Sequence, residues 1–289
     1  MSWPASSLWP ARRWRRWAIS RNGLPAHPGK AQDHAWRSIR LLGIRIDDVP
    51  IDGIIQYMDA VLDSGTKAVV ANVNIQAMNL AFQNAWLRSF FNRSELVFCD
   101  GYGVLLGAFL AGQSLAYRNT PTDWIDDLCT SAARRGRRMY LLGARDSVVS
   151  KAAFRLVSLY PSLKICGFHH GYFDTRPESR ETKQVIKEIQ ESEANILLVG
   201  MGMPLQERWI SDNFDRLSAN VVMPVGALFD YVSGELRRPP RWMTRHGLEW
   251  LGRLVYEPGR LWRRYLLGNP LFVWRVLTQR AIERSAEGG

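Results

Sequence analysis

Hydrophobic positions along this chain follow two rhythms. Short, nearly continuous apolar runs at Lys67–Val73, Glu95–Cys99, Arg138–Leu142, Leu163–Gly167, Asn195–Gly200 and Asn220–Gly226 read as strands. Between them, helically spaced stretches predict helices at Pro50–Leu62, Ile75–Phe91, Tyr102–Leu110, Pro121–Arg134, Asp146–Leu159, Pro177–Glu191 and Pro204–Leu217. Pro121, Pro177 and Pro204 stand where first-turn prolines are favoured, since an N–H there has no intrahelical partner to lose. The alternation predicts an α/β fold, a mostly parallel sheet with helices on both faces.

Polar residues and glycines gather just past the strand runs. Asn72 and Asn74 follow the first, Asp100 the second, Gly143 the third, Gly200 and Gly202 the fifth, and Gly226 and Asp230 the sixth. Open α/β sheets keep their ligands at this C-terminal edge. The sharpest of these positions is Phe98-Cys99-Asp100-Gly101-Tyr102-Gly103, where an apolar run delivers one carboxylate into an uncharged helical segment. Leu142-Gly143-Ala144-Arg145-Asp146 and Val199-Gly200-Met201-Gly202-Met203-Pro204 are candidate phosphate cradles, since glycine lets backbone N–H groups approach a diphosphate. Neither completes the G-x-G-x-x-G fingerprint of a dinucleotide site. Glu207 suits the first turn of a helix through the dipole, whereas the amide of Gln206 suits sugar hydroxyls or a base edge.

The ends of the chain change character. Residues 1–38 form a basic, Trp-rich tail (Trp9-Pro10-Ala11-Arg12-Arg13-Trp14-Arg15-Arg16-Trp17) without the apolar core of a secretory signal. Tryptophan with arginine suits an interfacial membrane anchor, and a disordered tail or an early start codon accounts for it equally well. Residues 39–235 carry the α/β pattern. Residues 236–289 form an appendage in which arginines fall among Trp242, Trp250, Tyr256, Trp262 and Tyr265. Pro258 is expected to divide it, and Asn269-Pro270 to cap a last amphipathic helix. The uncharged run Gly101–Tyr117 is short of the roughly 20 residues a spanning helix needs, and reads as a buried helix.

A net charge of +11 calls for an anionic partner: a membrane surface, a phosphorylated ligand or a nucleic acid. Clustering of the basic residues at the two ends among membrane-belt aromatics, with no nucleic-acid motif, argues against the last. Cys99, Cys129 and Cys166 are odd in number and lack metal-ligand spacing, which speaks against a zinc site or a disulfide framework.

An ordered series of motifs then resembles a known family. It runs through Asn72-Val73-Asn74, Cys99-Asp100-Gly101-Tyr102-Gly103, Arg118 with Asp123, Tyr140-Leu141-Leu142-Gly143, Tyr160-Pro161 and Gly171-Tyr172-Phe173. Gly200-Met201-Gly202-Met203-Pro204-Leu205-Gln206-Glu207, Val225-Gly226-Ala227-Leu228-Phe229-Asp230 and Arg238-Pro239-Pro240 continue it. Leu248-Glu249-Trp250-Leu251-Gly252-Arg253-Leu254 and Glu257-Pro258-Gly259-Arg260 close it. From about Ile39 to Tyr265 the chain is similar to the WecG/TagA/CpsF family of bacterial glycosyltransferases, glycosyltransferase family 26.

The resemblance implies a Rossmann-like core with a membrane-proximal C-terminal appendage. It implies inverting transfer of a hexose of the glucose, N-acetylmannosamine or N-acetylmannosaminuronic acid type from a UDP-sugar to a polyprenyl-diphosphate-linked sugar. No cofactor or metal is implied, and the expected location is the cytoplasmic face of the bacterial inner membrane. By the same resemblance, Asp100 is the expected general base. Asn72, Asn74, Arg118, Gly143, Gly200, Gly202, Gln206, Glu207 and Asp230 are expected to bind substrate, and Arg253, Arg260 and Arg263 the UDP phosphates or lipid diphosphate. Asn72 departs from the threonine common in the family. A non-catalytic UDP-sugar-binding module at the membrane is the alternative, and the sequence leaves a homo-oligomer open.

Overall fold

The computed structural model describes residues 36–287; the Trp/Arg-rich tail and its anchor reading lie outside the described residues. Eight strands form one sheet: β1 (Ser38–Leu41), β2 (Ile44–Asp47), β3 (Ala68–Val73), β4 (Leu96–Cys99), β5 (Arg138–Gly143), β6 (Lys164–His169), β7 (Ile196–Gly200) and β8 (Val221–Pro224). Their spatial order is β1-β2-β4-β3-β8-β7-β5-β6. All pairings are parallel except the β1–β2 hairpin. The central strands β3 and β7 are buried at every position, which is why they read as unbroken apolar runs.

Helices cover both faces, as expected. One face packs Ala77, Met78, Val104, Val185, Ile186, Trp209 and Ile210 onto the sheet. The other packs Ile54, Trp124, Leu128, Val149 and Leu228. The helix following β3 lies on the first face and the helix following β8 on the second. Neighbouring strands whose chains leave to opposite sides open a crevice at their C-terminal ends. Asn72 crosses that gap, its Nδ2 donating to the Pro224 carbonyl at 2.7 Å.

Several local expectations are corrected. The β1–β2 hairpin has no counterpart among the predicted strands, because two four-residue strands are too short for alternation to stand out. Leu42 and Gly43, both at positive φ, make its two-residue turn. The helix expected over Ile75–Phe91 is two, Ile75–Gln83 and Ala85–Arg93, with Asn84 extended between them and its side chain donating to the Leu80 carbonyl. Pro121 does open its helix, but Arg180–Glu191 is capped by Ser179, with Pro177 outside it, and Pro204 precedes Leu205–Asn213.

Asn269 caps nothing. The path runs from Pro258–Trp262 through a π-helical segment, Arg263–Leu267, into Gly268–Glu287. Pro270 lacks the N–H that an unbroken α-helix would direct to Leu266, and a wider turn beside it absorbs that loss. This last helix seats on the core: Phe272 is fully buried against Gly107, and Arg275 donates to the Asn79 carbonyl and side-chain oxygen at 3.1 and 2.9 Å.

Candidate active site

A cavity of about 1110 Å³ occupies the crevice, roofed by the C-terminal helices. Its walls include Asn72 and Asn74 from the end of β3, Asp100 after β4, Gly202 and Gln206 after β7, and Gly226 after β8. Arg118 and Thr120 come from the segment before Pro121–Arg134, while Glu249, Arg253 and Arg264 come from the appendage. Sequence positions nearly two hundred residues apart are therefore brought to one space, by strand order within the sheet and by the return of the C-terminal helices over it.

Asp100 is held by a chain of donors. The Asn74 side-chain oxygen accepts from the Ala77 N–H at 3.1 Å as an N-cap, and its side chain also hydrogen-bonds Asp100. Thr120 hydrogen-bonds the same carboxylate and accepts from Arg118 Nη1 at 2.6 Å. With its oxygen receiving from arginine, the single Thr120 O–H is directed to Asp100. Arg118 is itself fixed by Asp123 at 2.8 Å and lies over the Tyr102 ring, and Arg238 pairs with the other oxygen of Asp123. Burial raises the Asp100 pKa above the ordinary carboxylate range, against the opposing pull of the Thr120 hydrogen bond, Arg118, the Asn74 hydrogen bond and Arg264. A carboxyl so placed takes a proton more readily than one in water.

Gln206 spends most of its amide inside the protein. Its Oε1 accepts from the N–H groups of Gly202 and Gly226, each at 3.1 Å, and its Nε2 donates to Glu207 at 2.8 Å. Buried to 2% exposure, it staples the two glycine turns that form part of the cavity wall. Glu207 lies away from the cavity walls, 1% exposed, with one carboxylate oxygen lacking a partner. Burial pushes its pKa up to about 7, against the hydrogen bonds from Gln206 and the backbone that favour the charged form.

The other expected residues divide. Gly143 and Gly200 lie outside the walls; a Cβ on Gly143 would stand 2.3 Å from the Gly200 carbonyl oxygen, so these glycines let two strand ends converge. Asp230 is also outside them, its carbonyl accepting from the Leu236 N–H at 2.9 Å. Of the appendage arginines, Arg253 lines the cavity against Tyr231. Arg263 points away as an exposed side chain over Trp262, and Arg264, one residue on, lines the cavity instead. The backbone of Arg260 lies in helix Pro258–Trp262. Thr120 and Glu249 were not singled out from sequence; the spacing of Thr120 between Arg118 and Asp123 was the available signal.

Beside the mouth, helix Tyr102–Leu110 buries only one side. Val104 and Ala108 pack inward, whereas Leu106 and Phe109 line the cavity and are exposed, Phe109 to 74%. Trp242, Val255, Trp262, Trp274 and Ile282 of the appendage are exposed too. No helix among the described residues is long and apolar enough to cross a membrane.

A switch-point crevice with a buried carboxylate, arginines and an apolar rim defines an α/β protein with a ligand site suited to an anionic, partly apolar molecule. The chain belongs to the Glycosyl transferase WecG/TagA/CpsF family, whose profile it matches over residues 39–286. It is similar to the N-acetylglucosaminyldiphosphoundecaprenol N-acetyl-beta-D-mannosaminyltransferase of Bacillus subtilis (strain 168), with 29% identity over 230 residues covering 79% of this chain and 87% of the relative. The enzyme of the same name from Staphylococcus aureus (strain NCTC 8325 / PS 47) is 25% identical over 240 residues, 82% of this chain and 91% of the relative. The protein is thus a glycosyltransferase of the hexosyl-transferring type.

Proposed function

We propose that the protein transfers a hexose, with inversion at the anomeric carbon, from a UDP-sugar to a sugar carried on a polyprenyl diphosphate. The observation that carries this reading is the Arg118–Thr120–Asp100 chain in the cavity wall. Asp100 takes the proton of an acceptor hydroxyl as that oxygen attacks the anomeric carbon, and the bond from that carbon to the UDP oxygen breaks on the opposite side. Arg253 and Arg264 supply positive charge for the departing diphosphate. The relatives' names make N-acetylmannosamine and lipid-diphosphate N-acetylglucosamine the donor and acceptor sugars to try first.

The exposed aromatics of the appendage and Phe109 at the mouth support seating at a membrane surface, which this reading takes to be the cytoplasmic face, where a lipid-borne sugar could enter without leaving the bilayer. Asp100→Asn keeps the shape and removes the base. Transfer from UDP-N-acetylmannosamine to a short-chain lipid-diphosphate N-acetylglucosamine, read by mass spectrometry, should fall by about 10²- to 10⁴-fold with the melting temperature retained. Turnover near wild type would remove Asp100 from the reaction.

A further inference from the structure

Glu249 is a second carboxylate in the cavity, and the proton transfer described above leaves it without a task. It opens helix Glu249–Tyr256 of the appendage, so it belongs to the roof, whereas Asp100 comes from the sheet. Its side chain is mostly removed from solvent, and none of the described donors hydrogen-bonds it. Burial raises its pKa, Arg238 opposes this, the charges of Asp100 and Asp123 raise it further, and Arg118 lowers it; Glu249 in turn acts on the charges of Arg118 and Arg253. Glu249 is therefore close enough to Asp100 for the two charges to interact.

A carboxylate that faces a cavity without internal donors is satisfied only by water or by ligand hydrogens. A diphosphate offers it acceptors and repulsion, so its complement is a set of sugar hydroxyls. Two sugars meet beside Asp100. The roof bears the exposed apolar side chains, among them Val255 and Trp262, which places Glu249 on the side from which a lipid-borne substrate arrives. We infer that Glu249 accepts hydroxyl hydrogens of the acceptor sugar and sets its reacting hydroxyl against Asp100. This rests on the transferase reading above and names the group that holds the acceptor.

The test uses the full chain with a short polyprenyl-diphosphate N-acetylglucosamine as acceptor and UDP-N-acetylmannosamine as donor. Glu249→Gln should raise the acceptor KM by about 10- to 100-fold, the worth of hydrogen bonds to a charged group. Donor binding measured by calorimetry without acceptor should keep its wild-type Kd. Glu249→Asp, which retains the charge on a shorter arm, should recover part of the acceptor affinity. An unmoved acceptor KM overturns the inference. So does an equal loss of donor and acceptor affinity, which would mark Glu249 as a prop for the roof. A wild-type protein that binds the donor yet transfers nothing would overturn the transferase reading instead, and this assignment with it.

Discussion

Replacing Thr120 with valine tests the arrangement around Asp100 at its narrowest point. The side chains have nearly the same shape, so the change removes one hydroxyl and little packing. Two hydrogen bonds go with it: the one received from Arg118 Nη1 at 2.6 Å and the one given to Asp100. The Thr120 hydrogen bond is the largest influence holding the Asp100 pKa down against burial. A hydrogen bond to a charged group is worth about 1.5–3 kcal/mol, or about ten- to hundredfold in rate when the ionised form is the one that reacts.

The sign follows from which form is lost. Without Thr120 the charged carboxylate is disfavoured, so the Asp100 pKa rises, and the acidic limb of the kcat/KM profile moves to higher pH. The assay is initial-rate transfer across pH with folding checked by circular dichroism. Because Arg118 keeps its bond to Asp123, the cavity wall should persist and the loss should shrink as pH increases. An unshifted acidic limb, or a uniform loss at every pH, would refute the reasoning.

Two further outcomes concern stability. Glu207 has a folded-state pKa of about 7 against 4.5 for a free side chain, so the unfolded chain releases its proton first as pH rises. Stability therefore declines between about pH 4.5 and pH 7, by about 3 kcal/mol for this group. Glu207→Gln keeps an acceptor for Gln206 and should flatten that decline in denaturant melts; an identical pH slope would show that Glu207 is not the cause. Phe272→Ala empties the fully buried seat beside Gly107. It should cost about 3–5 kcal/mol, lower Tm by roughly 10 °C, and expose the appendage to protease, whereas an unchanged melt would mean the last helix is not held there.

Local pattern carried the fold class a long way. β3, β4, β7 and β8 are wholly buried strands, and such strands announce themselves as apolar runs whatever lies beside them. The same logic placed Asn74, Asp100, Gly202 and Gln206 at strand exits, where parallel sheets collect ligands. Periodicity could not report the β1–β2 hairpin, the break at Asn84 or the π-helical entry to the last helix. In each case a single turn or side-chain hydrogen bond outweighed the average tendency of its neighbours.

The composition of the site was decided by tertiary structure. Strand order sets β3 beside β8, so Asn72 meets Pro224 across 152 positions of sequence. Gln206 reads as a ligand-binding amide in the chain, yet the fold spends its oxygen on two glycine N–H groups. One residue of helical rotation separates exposed Arg263 from Arg264 in the cavity wall. Thr120 and Glu249 acquire their place only when a loop and a distant helix close on Asp100. Sequence dictates which side chains each segment offers; which of them face one another depends on the crossings between segments, where burial and hydrogen-bond completion are settled over the whole molecule.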